Sequence, residues 1–302
     1  MTPRRQRGRR KNKLSLFAVP YVGWMSIFVV APIIIMVVYA FSTAAGDFTL
    51  ENFARMGTYT AVFTRSFKLA IIATLIALLI GYPVSYMLSK EGPQVQRIAM
   101  VLIMLPMWMN FLLRTYSWMS ILENNGLLNQ LFQQIGLIDL YNQIAMPFAS
   151  DPAAYVPIDH FQMIGTQGAV VLGMVYNYLP FMILPIYSVL VKLDHSLIEA
   201  ARDLGASSVQ VFRKVILPLS LPGVLSGITM VFVPSVSTFA ISRLLGGGTQ
   251  MMLGDLIEQQ FLGGAYNPHL GSAIALVMMI IVVVCMYVMN RFGDGEEQAV
   301  VL

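Results

Sequence analysis

DHSLIEAARDLGASSVQVFRKVILP runs from Asp194 to Pro218, a short polar island between long apolar runs. Ser196 and Glu199 have the S-x-x-E spacing of a capping box, which satisfies two orphan backbone donors at a helix start. Leu197, Ile198, Ala201 and Leu204 then recur at helical spacing and predict one apolar face. Gly205 stands where a helix can end in a left-handed residue. A second amphipathic piece follows, with Val211, Phe212 and Val215 apolar and Arg213 and Lys214 charged. The island therefore predicts two brief helices joined at a glycine corner.

Outside it the chain is strongly apolar. Hydrophobic residues make up 57%, charged residues 11%, and mean hydropathy is +0.70. A soluble domain carries about 25% charged residues, so the composition is that of an all-α polytopic membrane protein. A hydrocarbon core of ~30 Å needs about 20 helical residues. Six runs meet that length: Leu16–Phe41, Phe67–Leu88, Ile98–Leu122, Ala169–Val191, Leu217–Ile241 and Leu270–Met289. The first is too long for the apolar core of a signal peptide.

Six spans put both termini on one side. With the N-terminus in the cytoplasm, fourteen of the nineteen Lys and Arg residues lie inside. Seven of them are in a basic arm, residues 1–13. Arg55, Arg65, Lys68, Arg114 and Arg243 remain on the outer side, which satisfies the positive-inside rule. The same orientation places the 194–218 island in the cytoplasm. The implied layout is a cytoplasmic arm (1–13), a six-helix membrane domain (14–293) and a cytoplasmic tail (294–302). Within that domain lie an outer loop (123–168) and an inner loop (192–216).

The outer loop carries Pro147, Pro152, Pro157, Asp139, Asp151 and Asp159, and 124–129 can begin a short helix. A loop of this length is functional or disordered; contact with an external partner and a solvated insertion both fit it. The third run holds Trp108, Asn110, Arg114, Tyr116 and Trp118, with Glu123 beyond it. On a straight helix Arg114 lies about 24 Å above Ile98, near the outer interface, where its side chain snorkels. Trp118 and Tyr116 fit an aromatic belt or an aromatic mouth for a cationic solute with Glu123 as the lone acid. Tyr176, Asn177, Ser235, Ser237 and Thr238 extend that candidate path. The fifth run reads Phe232-Val233-Pro234-Ser235-Val236-Ser237-Thr238, which fits a helix facing a polar path or hydroxyls bonding their own backbone.

Chemistry-bearing motifs are missing. There is no G-x-x-x-x-G-K-[ST] phosphate loop; Leu245-Gly246-Gly247-Gly248-Thr249 lacks the lysine and predicts a turn. His160, His195 and His269 are scattered, and the one cysteine, Cys285, sits in the last apolar run. No metal site, nucleophile or nucleic-acid site is expected.

Two sets of residues carry a family resemblance. Glu199-Ala200-Ala201, Gly205 four residues on and Leu217-Pro218 resemble the EAA loop of ABC importer permeases, with Val215 where the pattern has isoleucine. The segments LLRTYSWMSIL-x-NNGLLN, NYLPFMILPIYSVL, VFVPSVSTFAI and LLGGGTQMMLGDLI follow in family order. They resemble the PotB-type permease subunits of spermidine/putrescine (polyamine) ABC importers, within the binding-protein-dependent transport permease family. The resemblance implies the type I ABC importer permease fold in a bacterial cytoplasmic (inner) membrane. It implies that Glu199, Ala200, Ala201, Asp203, Gly205, Leu217 and Pro218 couple to partner ABC ATPase subunits. It also implies a second homologous permease and an extracellular or periplasmic polyamine-binding protein. ATP and Mg would then sit on the partner subunits, with no cofactor in this chain. Relatives of this kind also move iron, thiamine, sulfate or phosphonate. A stand-alone secondary transporter would prefer buried acids for ion coupling, which the span interiors almost lack.

Overall fold

The computed structural model describes residues 19–148 and 156–297. The basic arm 1–13, Asp151 and Pro152 of the outer loop and the end of the tail, 298–302, lie outside the described residues. Among the described residues the chain is helical, with one isolated bridge pairing Ser42 and Phe48. The helices are α1 (Val19–Ala40), α2 (Glu51–Arg55), α3 (Thr60–Ser89), α4 (Pro93–Trp108), α5 (Phe111–Leu122), α6 (Leu127–Gln134) and α7 (Leu137–Ala145). There follow α8 (Gln167–Leu190), α9 (His195–Asp203), α10 (Ser208–Ser237), α11 (Ala240–Leu245), α12 (Leu253–Leu262) and α13 (Pro268–Glu297).

Five helical segments are long and apolar enough to cross a membrane, within α1, α3, α8, α10 and α13. The third apolar run behaves differently. It breaks at Met109–Asn110, and the two halves meet at 91°. Asn110 causes the break: its Oδ1 accepts from the amides of Leu112 (2.9 Å) and Leu113 (3.3 Å) and starts a new helix. Such a side-chain cap competes with helix continuation. The expected straight helix Ile98–Leu122 is thus two helices. The fifth run also stops early, at Ser237, and Ile241 belongs to the separate helix α11.

Two compact units divide the described residues, one holding those up to Tyr59 together with Gln259–Ile281, the other those within Thr60–Glu258 together with 282–297. In the first, Ala40, Ala273 and Leu276 form a small core with Met36, Val37, Phe41 and Phe53. Asn52 ties the loop after α1 down, donating to the carbonyls of Ala40 (3.0 Å) and Ser42 (3.1 Å).

The second unit is built on α3, α8 and α10, which pack on one another. In a bilayer, lipid is as apolar as leucine, so helices associate by close fit of small residues. Gly223 and Gly227 supply that fit in a G-x-x-x-G spacing. A Cβ on Gly223 would meet the Pro185 carbonyl oxygen at 2.8 Å and Ile186 Cα at 3.1 Å. Polar groups add to the seam: Ser85 Oγ donates to Gly81 O and Ile183 O, and Tyr82 Oη lies 2.9 Å from Ser220 Oγ. Pro83, Pro180, Pro185, Pro222 and Pro234 all lie inside continuous helices.

Candidate functional site

The polar island forms a corner against one end of this bundle. The first helix is α9, and its cap is Asp194: the Asp194 carboxylate accepts from Ser196 N at 2.9 Å. That hydrogen bond holds the Asp194 carboxyl below the usual carboxylate range. The expected capping box at Ser196 and Glu199 is therefore displaced, because the helix starts two residues earlier, with Asp194 as its cap; aspartate and serine cap about equally well, and the backbone selects Asp194. A true capping box occurs at the second helix, where Ser207 and Gln210 bond each other's backbone amides. Gly205 has φ +80°. Its amide donates to Arg202 O (2.8 Å) and that of Ala206 to Ala201 O (3.0 Å). These two bonds are the Schellman closure of a helix end.

Packing splits the apolar face of α9. Ile198, Ala201, Ala206 and Phe212 pack on the core of α3, α8 and α10. Phe212 receives the ring edges of Tyr82 and Tyr86 at 5.8 and 5.7 Å. Leu197 and Leu204 do not join them; Leu204 is 89% exposed. On a helical wheel Ile198 lies about 100° from Leu197. Burial centred between Ile198 and Ala201 therefore rotates Leu197 and Leu204 out. The result is an anchored loop with a second, unpartnered apolar edge, beside which Glu199, Ala200 and Asp203 are exposed. The second helix does not end at the loop. It runs on through a π-helical turn, Phe212–Ile216, and then Leu217 and Pro218, so the loop is joined directly to a helix long enough to span a membrane.

At the opposite end of α10 the structure brings some path residues together and separates others. Trp118 meets Tyr176 edge to face, with ring centroids 5.2 Å apart. Trp108 and Tyr116 are exposed, and Asn110 is the cap at the helix break. Glu123 ends α5, its carbonyl accepting from Gly126 N and Asn129 Nδ2. Asn177 is buried and donates to Gly173 O. The hydroxyls of Ser235 and Ser237 bond Val231 O and Val233 O of their own helix; Thr238 is buried where that helix ends. Arg114 does not snorkel. It is 8% exposed, and its Nε and Nη1 have no hydrogen-bond partner. The 91° break removes the straight climb toward the interface that the sequence implies, and α5 packs on α11 instead.

Glu123 is also not the lone acid at this end. Helices α11 and α12 assemble Ser242, Arg243, Asp255 and Glu258 into one cluster. Asp255 Oδ2 accepts from Ser242 Oγ and, at 3.0 Å, from Met252 N. Arg243 forks both oxygens of Glu258. Burial pushes the Asp255 carboxyl up. The local signal was the i, i+3 pair Asp255/Glu258 on an amphipathic helix. The partners on α11 lie 13 and 15 residues away in sequence, beyond the reach of periodicity.

Known proteins match both sequence and fold. The family model of the binding-protein-dependent transport system inner membrane component matches residues 73–295. The spermidine/putrescine transport system permease protein PotB of Haemophilus influenzae is 34% identical over 289 residues, covering 93% of this chain and 94% of that protein. PotB of Escherichia coli K12 is 35% identical over 271 residues, covering 87% and 91%. Among solved structures, a chain of a bacterial ABC transporter involved in the import of the acidic polysaccharide alginate superposes with a TM-score of 0.75. It shares 15% identity over 95% of this chain and 96% of that one. A second alginate transporter structure, in complex with an alginate pentasaccharide-bound periplasmic protein, gives 0.70 at 17% identity, covering 94% of each chain.

Proposed function

This chain belongs to the family of binding-protein-dependent transport system inner membrane components, and on that premise we propose that it is the permease subunit of an ATP-driven importer of polyamines. The observation that carries the reading is the 34–35% identity to spermidine/putrescine permeases across 87–93% of the chain. The chain is a multi-pass inner-membrane protein and a transport component rather than an enzyme.

The finer reading has six spans, the bent pair α4–α5 counting as one, and a cytoplasmic N-terminus. ATP is hydrolysed on separate ATPase subunits. The exposed edge of α9, with Leu197, Leu204 and Glu199, docks in one of them. Because α10 continues from the loop without a break, closure of the ATPases tilts α10 and, through the Gly223/Gly227 seam, α8. A second homologous permease completes the path, and an external binding protein delivers the solute. Isolated from its native membrane, the chain should carry an ATPase and a second permease with it; isolation alone would favour the stand-alone transporter.

The orientation has its own test. In a Cys285→Ala background, cysteines at Asp159 and Arg202, both exposed, should label from opposite sides of intact cells. An impermeant reagent that reaches both from outside contradicts six spans.

Trp118 and Glu123 separate in a third test. A polyamine is a flexible chain of methylenes and ammonium groups, suited to an aromatic face. Trp118→Ala removes the ring that meets Tyr176 and should lower spermidine uptake by roughly 2- to 30-fold, the range of a cation–π contact of about 0.5–2 kcal/mol. Glu123→Gln leaves the backbone contacts at the end of α5 in place and should lower uptake less. Initial rates, normalised to assembled transporter, check both; wild-type rates in Trp118→Ala remove this ring from the path.

A further inference from the structure

The cluster on α11 and α12 is one positive charge short. Asp255 and Glu258 bring two carboxylates, and Arg243 brings one guanidinium, which is committed to Glu258. The Asp255 side chain is only 5% exposed, yet its Oδ1 accepts no hydrogen bond. Arg243 Nε stands 3.9 Å away, too far to donate. A buried carboxylate oxygen without a donor is costly, so the site is built with an acceptor left open. Arg243 itself is 45% exposed and has room to swing into solvent. Glu258, at 25%, lies between the buried acid and the surface.

The cluster also stands at the end of the bundle that the orientation proposed above makes external. It directly follows the end of α10 that is remote from the coupling loop. The start of α8 lies at the same end, since Gly165 N donates to Leu245 O at 2.8 Å. Helix α11 packs on α5, which carries Trp118. A cation entering past the aromatic pair therefore meets these acids before any on the loop side.

We propose that Asp255 and Glu258 form an ammonium subsite, and that Arg243 is an internal stand-in displaced from it by an amine of the solute. A primary ammonium has three donors, enough to serve both Asp255 Oδ1 and Glu258 once Arg243 has swung away. This inference rests on the polyamine reading.

The test is spermidine uptake into proteoliposomes by the whole transporter, with KM measured for Asp255→Asn and Arg243→Gln. Asparagine still accepts from Met252 N, so the start of α12 is retained. Loss of the open acceptor should raise KM about tenfold, the scale of a charge-assisted hydrogen bond. Loss of the stand-in should lower KM, by about threefold or more if Arg243 competes with the solute. A purely structural bridge predicts the same direction of change for both variants, and that outcome, or no change in either, overturns the subsite. Should Asp255→Asn fail to assemble, Arg243→Gln decides alone: a lower KM supports the subsite and an equal or higher one overturns it. Wild-type transporter that takes up no spermidine overturns the polyamine reading and the subsite with it; normal wild-type uptake with indifferent variants overturns only the subsite.

Discussion

Valine at position 205 is expected to cut ATP-driven uptake at least tenfold while leaving the chain inserted in the membrane. Gly205 holds φ +80° with no atom within 4 Å of where a Cβ would sit. The penalty is therefore conformational, not steric: an L-residue in the left-handed region costs about 1–2 kcal/mol, and a β-branched one pays most. The cheapest escape is to abandon that φ, which opens the two Schellman hydrogen bonds and lets α9 swing away from the bundle. The exposed edge with Leu197 and Leu204 then no longer presents itself at a fixed angle. Asparagine tolerates the left-handed region best among non-glycines, so uptake should fall in the order Gly, Asn, Ala, Val. Rates of uptake and of solute-stimulated ATP hydrolysis check this. Wild-type coupling in Gly205→Val contradicts a tight corner here.

Leucine at position 223 should do the opposite, harming the fold before the coupling. The Cβ alone would stand 2.8 Å from the Pro185 carbonyl oxygen, 3.0 Å from Val189 Cγ2 and 3.1 Å from Ile186 Cα. Two of those atoms are backbone of α8 and cannot turn aside, so the helices must part. Overpacking of a tight core costs about 1–3 kcal/mol, and here the displacement also pulls on Tyr82–Ser220 and the neighbouring Gly227 seam. We expect a clear fall in the melting temperature of detergent-purified protein, smaller for Gly223→Ala than for Gly223→Leu. An unchanged melting temperature in both would mean that α8 and α10 do not meet at this glycine.

The contrast between these positions shows what the sequence carried openly. The corner at Gly205 is local: its glycine, the amphipathic residues around it and the helix ends lie within about a dozen residues, where spacing speaks directly. The membrane helices were legible through apolar length. The break at Met109–Asn110 was not, because hydropathy is blind to direction: an apolar run scores alike whether the helix continues or turns through 91°. Asn110 was visible, but as a path residue and not as the cap that ends one helix and starts another. Without the break, helical rise alone carries Arg114 to the membrane surface. Asp194 and Ser196 are equally good caps by residue type, and only the backbone decides between them. The acid cluster was hidden for a different reason. Ser242–Asp255 and Arg243–Glu258 form only when α11 and α12 fold back on each other, and no periodicity within either helix announces the other. Of the proposed path, Trp118 and Tyr176 meet as neighbouring spans allow, while Ser235 and Ser237 spend their hydroxyls on their own helix.

The direct measurement is uptake of radiolabelled spermidine into proteoliposomes holding this permease with its ATPase, its second permease and the external binding protein. Uptake should require ATP on the coupling-loop side and the binding protein on the other, and should collapse in Gly205→Val. Spermidine entry that proceeds without ATP, or ATP-driven entry of another solute with spermidine ignored, would contradict the account.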